Sequence, residues 1–208
     1  VSVGFASLNS NTMGVDNAAV GHEALMVNTT GSQNAGFGKS ALRSNVTGRW
    51  NVSTGYESMQ SNISGSFNTA TGSLCMWKNT SGWSNTANGN EAMKNNLTGF
   101  ENTAIGEEAL YDNLSGFRNT AVGIVALQQN LAGIHNTAVG GGALSENSYG
   151  SFNTAVGDRA MIHNNSGIGN TAIGHQALFS CISGSNNTAI GSLAGPVESG
   201  FSFSNATA

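Results

Sequence analysis

Hydrophobic and polar positions recur along this chain in one fixed frame. Residues 102–123 read NTAIGEEALYDNLSGFRNTAVG, one full repeat and the start of the next. The frame is N-T-A-[VI]-G-x-x-A-[LM]-x-x-N-x-[ST]-G-x-x, seventeen residues long. Asn17, Asn34, Asn51, Asn68, Asn85, Asn102, Asn119, Asn136, Asn153, Asn170 and Asn187 keep the spacing without a slip. A Gly follows each of them four places later, from Gly21 to Gly191. A second Asn runs from Asn28 to Asn164 and gives way at Cys181 and Glu198, and a second Gly runs from Gly31 to Gly184. A short fixed period marks a solenoid or array. Because no insertion interrupts the copies, each must stack on the last with the same geometry.

The T-A-[VI] triplet is the predicted strand. Thr, Val and Ile favour extended backbone, and side chains alternate faces along a strand. Thr103 and Ile105 then face one way and Ala104 the other, so the Ala column lines a narrow interior. The ridge Ile105, Val122, Val139, Val156, Ile173 and Ile190 is large and apolar to leave in water, which predicts an interface between chains. Segments such as EEALYD, NEAMKN, HQALFS and DRAMIH have helix-forming compositions, and Leu110 and Leu114 have the spacing of one helical face. The second Asn suits a left-handed cap, and N-x-[ST]-G suits a tight turn. A conflict of spacing follows. Strands stack ~4.8 Å apart, whereas packed helices need about 8–10 Å. A helical turn per coil fits if the solenoid curves or if partner coils interleave; otherwise the segment is extended or 3₁₀. The expected fold is mainly β, a parallel β-solenoid or β-roll of 17-residue coils with room for one short helical turn each, assembled with other chains through the ridge. Residues 1–16 form a partial N-terminal coil, 17–191 the solenoid, and 192–208 a degenerate cap or junction around Pro196 and the Phe201–Phe203 pair.

Composition sharpens this picture by exclusion. The 208 residues include only eleven acidic and seven basic ones, net charge −4. That leaves no basic stripe for a nucleic-acid partner. The Gly-, Asn- and Ser-rich content resembles a flexible linker, but strict apolar columns argue against one. No apolar run approaches the ~20 residues that span a bilayer, so no membrane insertion is expected. Cys75 and Cys181 lie about six coils, or ~30 Å, apart at strand spacing, and a disulfide requires Cα atoms within ~7 Å. Two free thiols are predicted.

Candidate chemistry is sparse. His22, His135, His163 and His175 fall in different columns or many coils apart, so no pair is placed to ligate a metal. Glu107 and Glu108 are adjacent and make no paired-carboxylate site. No G-x-S-x-G, P-loop or H-E-x-x-H occurs; Gly140–Gly142 fits neither a phosphate nor a calcium motif. The expectation is no enzymatic activity and no cofactor. Sequons such as Asn28, Asn45, Asn62, Asn96 and Asn113 fall out of the repeat itself; stacked Asn side chains that satisfy turn backbone explain them better than glycosylation. The informative irregularity is Trp50, Phe67, Trp83, Phe100, Phe117 and Phe152 just after the second Gly. These rings either stack on sugars or anchor a partner, or they cover the ridge between coils or pack within a trimer.

The N-T-A-[VI]-G-x-x-A-L-x-x-N-x-x-G array, from about Asn17 to Gly191, resembles repeats of viral and bacteriophage tail fibres and bacterial surface fibres. Its N-T-A-[VI]-G core is similar to the S-V-A-I-G core of trimeric autotransporter adhesin heads. The present coils are longer, by an A-L-x-x-N segment. The resemblance implies a homotrimer with Thr103, Ile105 and their equivalents on the trimer axis and Ala104 inside the coil. It also implies an extracellular place on a cell surface or virion, and attachment to a surface glycan or receptor. Other readings are a plain spacer roughly 50 Å long at strand spacing, an ice-binding solenoid using the Thr column from Thr69 to Thr188, and a depolymerase with sites between chains.

Overall fold

The computed structural model describes residues 1–195 and 204–208; Pro196, Glu198, Gly200 and Phe201–Phe203 lie outside the described residues. Each coil supplies one short strand: β1 (Ser2–Val3), β2 (Ala18–Val20), β3 (Ala35–Phe37), β4 (Val52–Thr54), β5 (Thr69–Thr71), β6 (Thr86–Asn88), β7 (Thr103–Ile105), β8 (Thr120–Val122), β9 (Thr137–Val139), β10 (Thr154–Val156), β11 (Thr171–Ile173) and β12 (Thr188–Ile190). They form one parallel sheet of 12 strands in chain order. Register is column on column: Thr103 lies beside Thr120, Ala104 beside Ala121 and Ile105 beside Val122. The chain is thus a parallel β-solenoid. At the far end Thr207 bridges to Thr188, and the Ile190 N–H donates to the Ala208 carbonyl. The last residues therefore lie on β12 as a further partial rung.

The segment after the strand is not helical, and no described residue is in a helix. It is a chain of linked turns. The N–H groups of Ala92, Lys94 and Asn96 donate within their own coil, to the carbonyls of Gly89, Glu91 and Met93. The intervening N–H groups leave the coil: Glu91 donates to Ser73 below, while Met93 and Asn95 donate to Ala109 and Tyr111 above, each at 2.9 Å. Glu91 and Met93 hold φ of 56° and 52°, at the third position of successive turns, where a type II turn demands positive φ. Left-handed backbone costs a non-glycine residue roughly 1 kcal/mol or more. It recurs here because it flattens the segment enough to repeat at strand spacing, which a helix cannot do. The left-handed sites are these two columns and the residue before each first Asn; the second Asn column is not among them. Leu110 and Leu114 part company accordingly: Leu110 is buried, and Leu114 is exposed.

The interior is thin. Ala104, Ala109 and Leu110 are fully buried, and the same three columns repeat from Ala19, Ala24 and Leu25 to Ala172, Ala177 and Leu178. One Leu or Met per coil is its only large apolar side chain. The rest of the interior is two Asn columns. Asn119 donates through its backbone N–H and Nδ2 to Asn102 Oδ1, at 3.0 and 3.2 Å. Asn130 Nδ2 donates to Asn113 Oδ1 at 2.8 Å. Both Asn119 and Asn130 also donate to the Gly133 carbonyl, each at 2.9 Å. Each rung is thereby tied to the next, and the two columns are tied to each other. The side chains of Asn28, Asn45, Asn62, Asn96 and Asn113 are buried in this ladder, which removes them as glycosylation acceptors in the folded chain.

Two glycine columns follow from the same close stacking. At Gly123, φ is 133° and an added Cβ would stand 2.6 Å from the Gly140 carbonyl oxygen. At Gly116 a Cβ would meet Asn113 Oδ1, and the Gly133 oxygen at 2.5 Å. Gly36 is different. It occupies the inward strand position that Ala holds in most coils, has no positive φ, and its Cβ would meet Ala41 O at 3.3 Å and Leu25 Cδ1 at 3.5 Å. Substitutions at these glycines therefore have opposite signs. Gly36→Ala is expected to stabilise by about 0.4–1 kcal/mol through chain entropy. Gly123→Ala is expected to destabilise by more than about 2 kcal/mol from left-handed strain and overpacking. Thermal melts of the two variants against the parent check both signs.

Candidate interaction surface

With the interior filled mainly by Ala, Leu, Met and Asn, most of the variable chemistry lies on the outside. The outer side of the sheet carries two ranks. From Ala18 onward neither contains a charged side chain. Ile105, Val139, Val156 and Ile173 are 36–44 % exposed and Ile190 64 % exposed, while Val122 is half-buried. All six stand on one line, and the Thr column beside them is half-buried. The sheet thus brings the ridge read from the sequence into one continuous strip.

The ridge has a feature that the repeat consensus conceals. Its outer rank runs Val3, Val20, Phe37, then Thr54, Thr71 and Asn88, and only then the six Val and Ile residues. The three polar members are exposed. Their departure from [VI] was visible in the aligned repeats; that they stand together on the outward line required the sheet.

The aromatic residues do not form a single row. Trp50, Phe67 and Phe152 precede the first Asn of a coil, in the left-handed column, whereas Trp83, Phe100 and Phe117 come one place earlier. Within each column the rings stack on one another. Trp83 and Phe100 lie 4.8 Å apart at 6°, Phe100 and Phe117 4.6 Å apart at 5°, and Trp50 and Phe67 4.8 Å apart at 10°. His135 continues the arrangement, stacked on Phe152 at 5.0 Å and edge-on to Phe117. Near-parallel stacking with ring centroids at rung spacing lies within the range of favourable aromatic pairs. Neighbouring ring faces therefore cover each other, while Trp50, Phe67, Trp83 and Phe152 keep 42–55 % of their surface exposed.

Elsewhere the surface is decorated by pairs that bridge neighbouring coils. Arg118 meets Glu101 at 2.6 Å, Arg43 meets Glu23 at 2.8 Å, and His163 Nδ1 lies 2.9 Å from Glu146. Pairs this exposed contribute little net stability. Gly141 and Gly142 leave a dent of about 420 Å³ between Ile124, Asp158, Arg159 and Ile162. Among the described residues no three His, Cys, Asp or Glu side chains gather as a metal-ligating group, and no helix is long and apolar enough to cross a membrane.

Cys75 and Cys181 are free and buried. Burial pushes the Cys75 thiol up to about 12, with a smaller opposing effect from the Thr71 backbone. Cys181 is also raised, again mainly by burial. Cys181 replaces an Asn of the second ladder, and the consequence is local: the buried Asn164 Oδ1, which in other coils accepts from the next Asn, has no partner. An unmade bond at a buried acceptor costs about 1–3 kcal/mol.

Comparison of the chain with family models, curated proteins and solved structures returns no match.

Cys181→Asn is expected to restore the ladder and to raise protection from hydrogen exchange in the coils around it, with a gain of about 1–3 kcal/mol. Slower exchange of the amides of residues 164–184 is the measurement; unchanged exchange would count against the ladder account. Both thiols should resist a disulfide exchange reagent at pH 8 in the folded chain, since the thiolate is the reactive form, and react fully once the chain is unfolded.

Proposed function

We propose that this chain is a non-enzymatic segment of a homotrimeric, extracellular fibre that acts in attachment to a cell surface. The observation that carries the reading is the uncharged outward sheet face, on which Ile105, Val122, Val139, Val156, Ile173 and Ile190 form an unbroken apolar line. Such a strip on an elongated particle is what sister chains would cover. The resemblance of the N-T-A-[VI]-G core to fibre and adhesin-head repeats supports the number three and the placement on a cell surface or virion.

Within this reading the segment either recognises a surface glycan or receptor, or spaces a recognition element from its base. The mutual stacking of Trp83, Phe100 and Phe117 favours spacing, because the faces that would lie on a sugar ring are already used. A glycan array probed with the assembled segment separates the two: binding that is lost in Trp50→Ala or Phe152→Ala supports recognition, and a clean negative leaves spacing.

Assembly itself is tested by mass. At micromolar concentration mass photometry should give about three times the chain mass of 21.2 kDa. The double variant V139K/V156K should raise the dissociation constant by more than about a hundredfold, because each lysine would bury an unpaired charge, while the circular dichroism of the coil is unchanged. A single-chain mass for the parent protein would sink the assembly.

A further inference from the structure

A periodic ridge poses a problem for any assembly built on it. When every rung is alike, one chain can slide along another by a strand spacing of ~4.8 Å with little loss of contact. Nothing in the T-A-[VI] consensus selects one alignment. We infer that Thr54, Thr71 and Asn88 are the register lock of the assembly: a polar block in an apolar seam that fits only the same block of parallel sister chains. This rests on the proposed assembly through the sheet face.

The placement is specific. The outer rank is apolar at Val3, Val20 and Phe37, polar at Thr54, Thr71 and Asn88, and apolar again from Ile105 to Ile190. In parallel register each polar residue faces its own counterpart. A slip of one rung sets Thr54 against Phe37 and Asn88 against Ile105. A slip of two also sets Thr71 against Ile105, and moves Asn88 to Val122. Antiparallel pairing over the full length sets Thr54, Thr71 and Asn88 against Val139, Val122 and Ile105. An antiparallel pairing that matches the polar block to itself leaves Val156, Ile173 and Ile190 bare. The slipped and full-length antiparallel pairings leave polar groups without partners in a desolvated seam, and the last forfeits apolar contact over three rungs; a single polar position fixes register in other periodic interfaces in the same way.

The fold supplies no other reason for these residues. Their coils keep the inward positions Ser53, Ala70 and Ala87 and the ladder residues Asn51, Asn68 and Asn85, all buried. The sheet runs through β4, β5 and β6 without a bulge or change of register. Asn is a poor strand former, and Asn88 is exposed, so the single chain gains nothing from it. With no charge along either rank from Ala18 onward, the polar block is the one polar interruption of the outer rank; the rank beside it changes from Ala18, Ala35 and Val52 to Thr from Thr69 onward.

The test compares the native ridge with the triple variant T54V/T71V/N88I. Chains carrying V139C and chains carrying V156C are mixed, assembled and oxidised, and the disulfides are read by peptide mass spectrometry. The buried native thiols stay out of the reaction. With the native ridge, same-position disulfides should exceed mixed ones by more than about tenfold, a ratio within reach of one or two unpartnered polar groups. In the triple variant mixed disulfides should rise to within about threefold of same-position ones. Its masses should spread above the trimer, since a slip repeated around a ring cannot close. Mixed disulfides already abundant with the native ridge, or a triple variant that keeps one mass and same-position pairing, would overturn the lock while leaving assembly intact. A single-chain mass for the native protein would remove assembly and the lock together.

Discussion

Backbone hydrogen bonding between successive coils, at the spacing of neighbouring parallel strands, governs this molecule. In most folds that spacing applies to the strands alone, and connections are free to wander. Here it extends around most of the coil: the strand, the turn segment and the corner after the second Gly all bond to the rungs above and below. Any element thicker than a single extended or turning backbone would push the rungs apart. A helix is excluded for that reason, although Glu, Ala, Leu and Met in this segment would favour one in isolation. The chain instead accepts left-handed backbone at non-glycine residues in three columns and offsets the cost with bonds between coils.

The same constraint explains an interior that is small and polar. Two Ala, one Leu or Met and two Asn fill a coil, which is little apolar area for a chain of this length. Cohesion along the axis comes instead from side-chain amides that repeat as regularly as the backbone. Each Asn both donates and accepts, so the ladder satisfies itself rung by rung, and a fault appears as one orphaned acceptor. Cys181 and Asn164 are that fault. Buried polar networks of this kind specify structure because a half-made one is costly.

Function is left to the surface, where the repeat permits variation. Residues that share a column are brought side by side whatever their identity, so a change of composition along the sequence becomes a spatial block. Aromatic positions become stacks, opposite charges become bridges between coils, and a change from Val or Ile to Thr and Asn becomes a polar band across an apolar ridge. The outward face of the sheet is an uncharged strip from Ala18 onward, and the proposed alignment between chains would be read there.

Much of this was legible in the residues. The period, the parallel stacking, the inward Ala104 column, the outward Ile105 ridge and the bonding role of the two Asn columns follow from strict spacing, because a uniform repeat leaves one way to stack. Three things were not. The EEALYD segment reads as helical because propensity is local, whereas its conformation is set by the neighbouring rungs. The packing of Trp83, Phe100 and Phe117 on one another depends on which of two adjacent positions each occupies, a difference of one residue that only the coil geometry converts into separate columns. The meaning of Thr54, Thr71 and Asn88 is hidden in the consensus as three tolerated exceptions. They become one continuous band only when the sheet sets β4, β5 and β6 side by side, since residues distant along the chain are neighbours across its rungs.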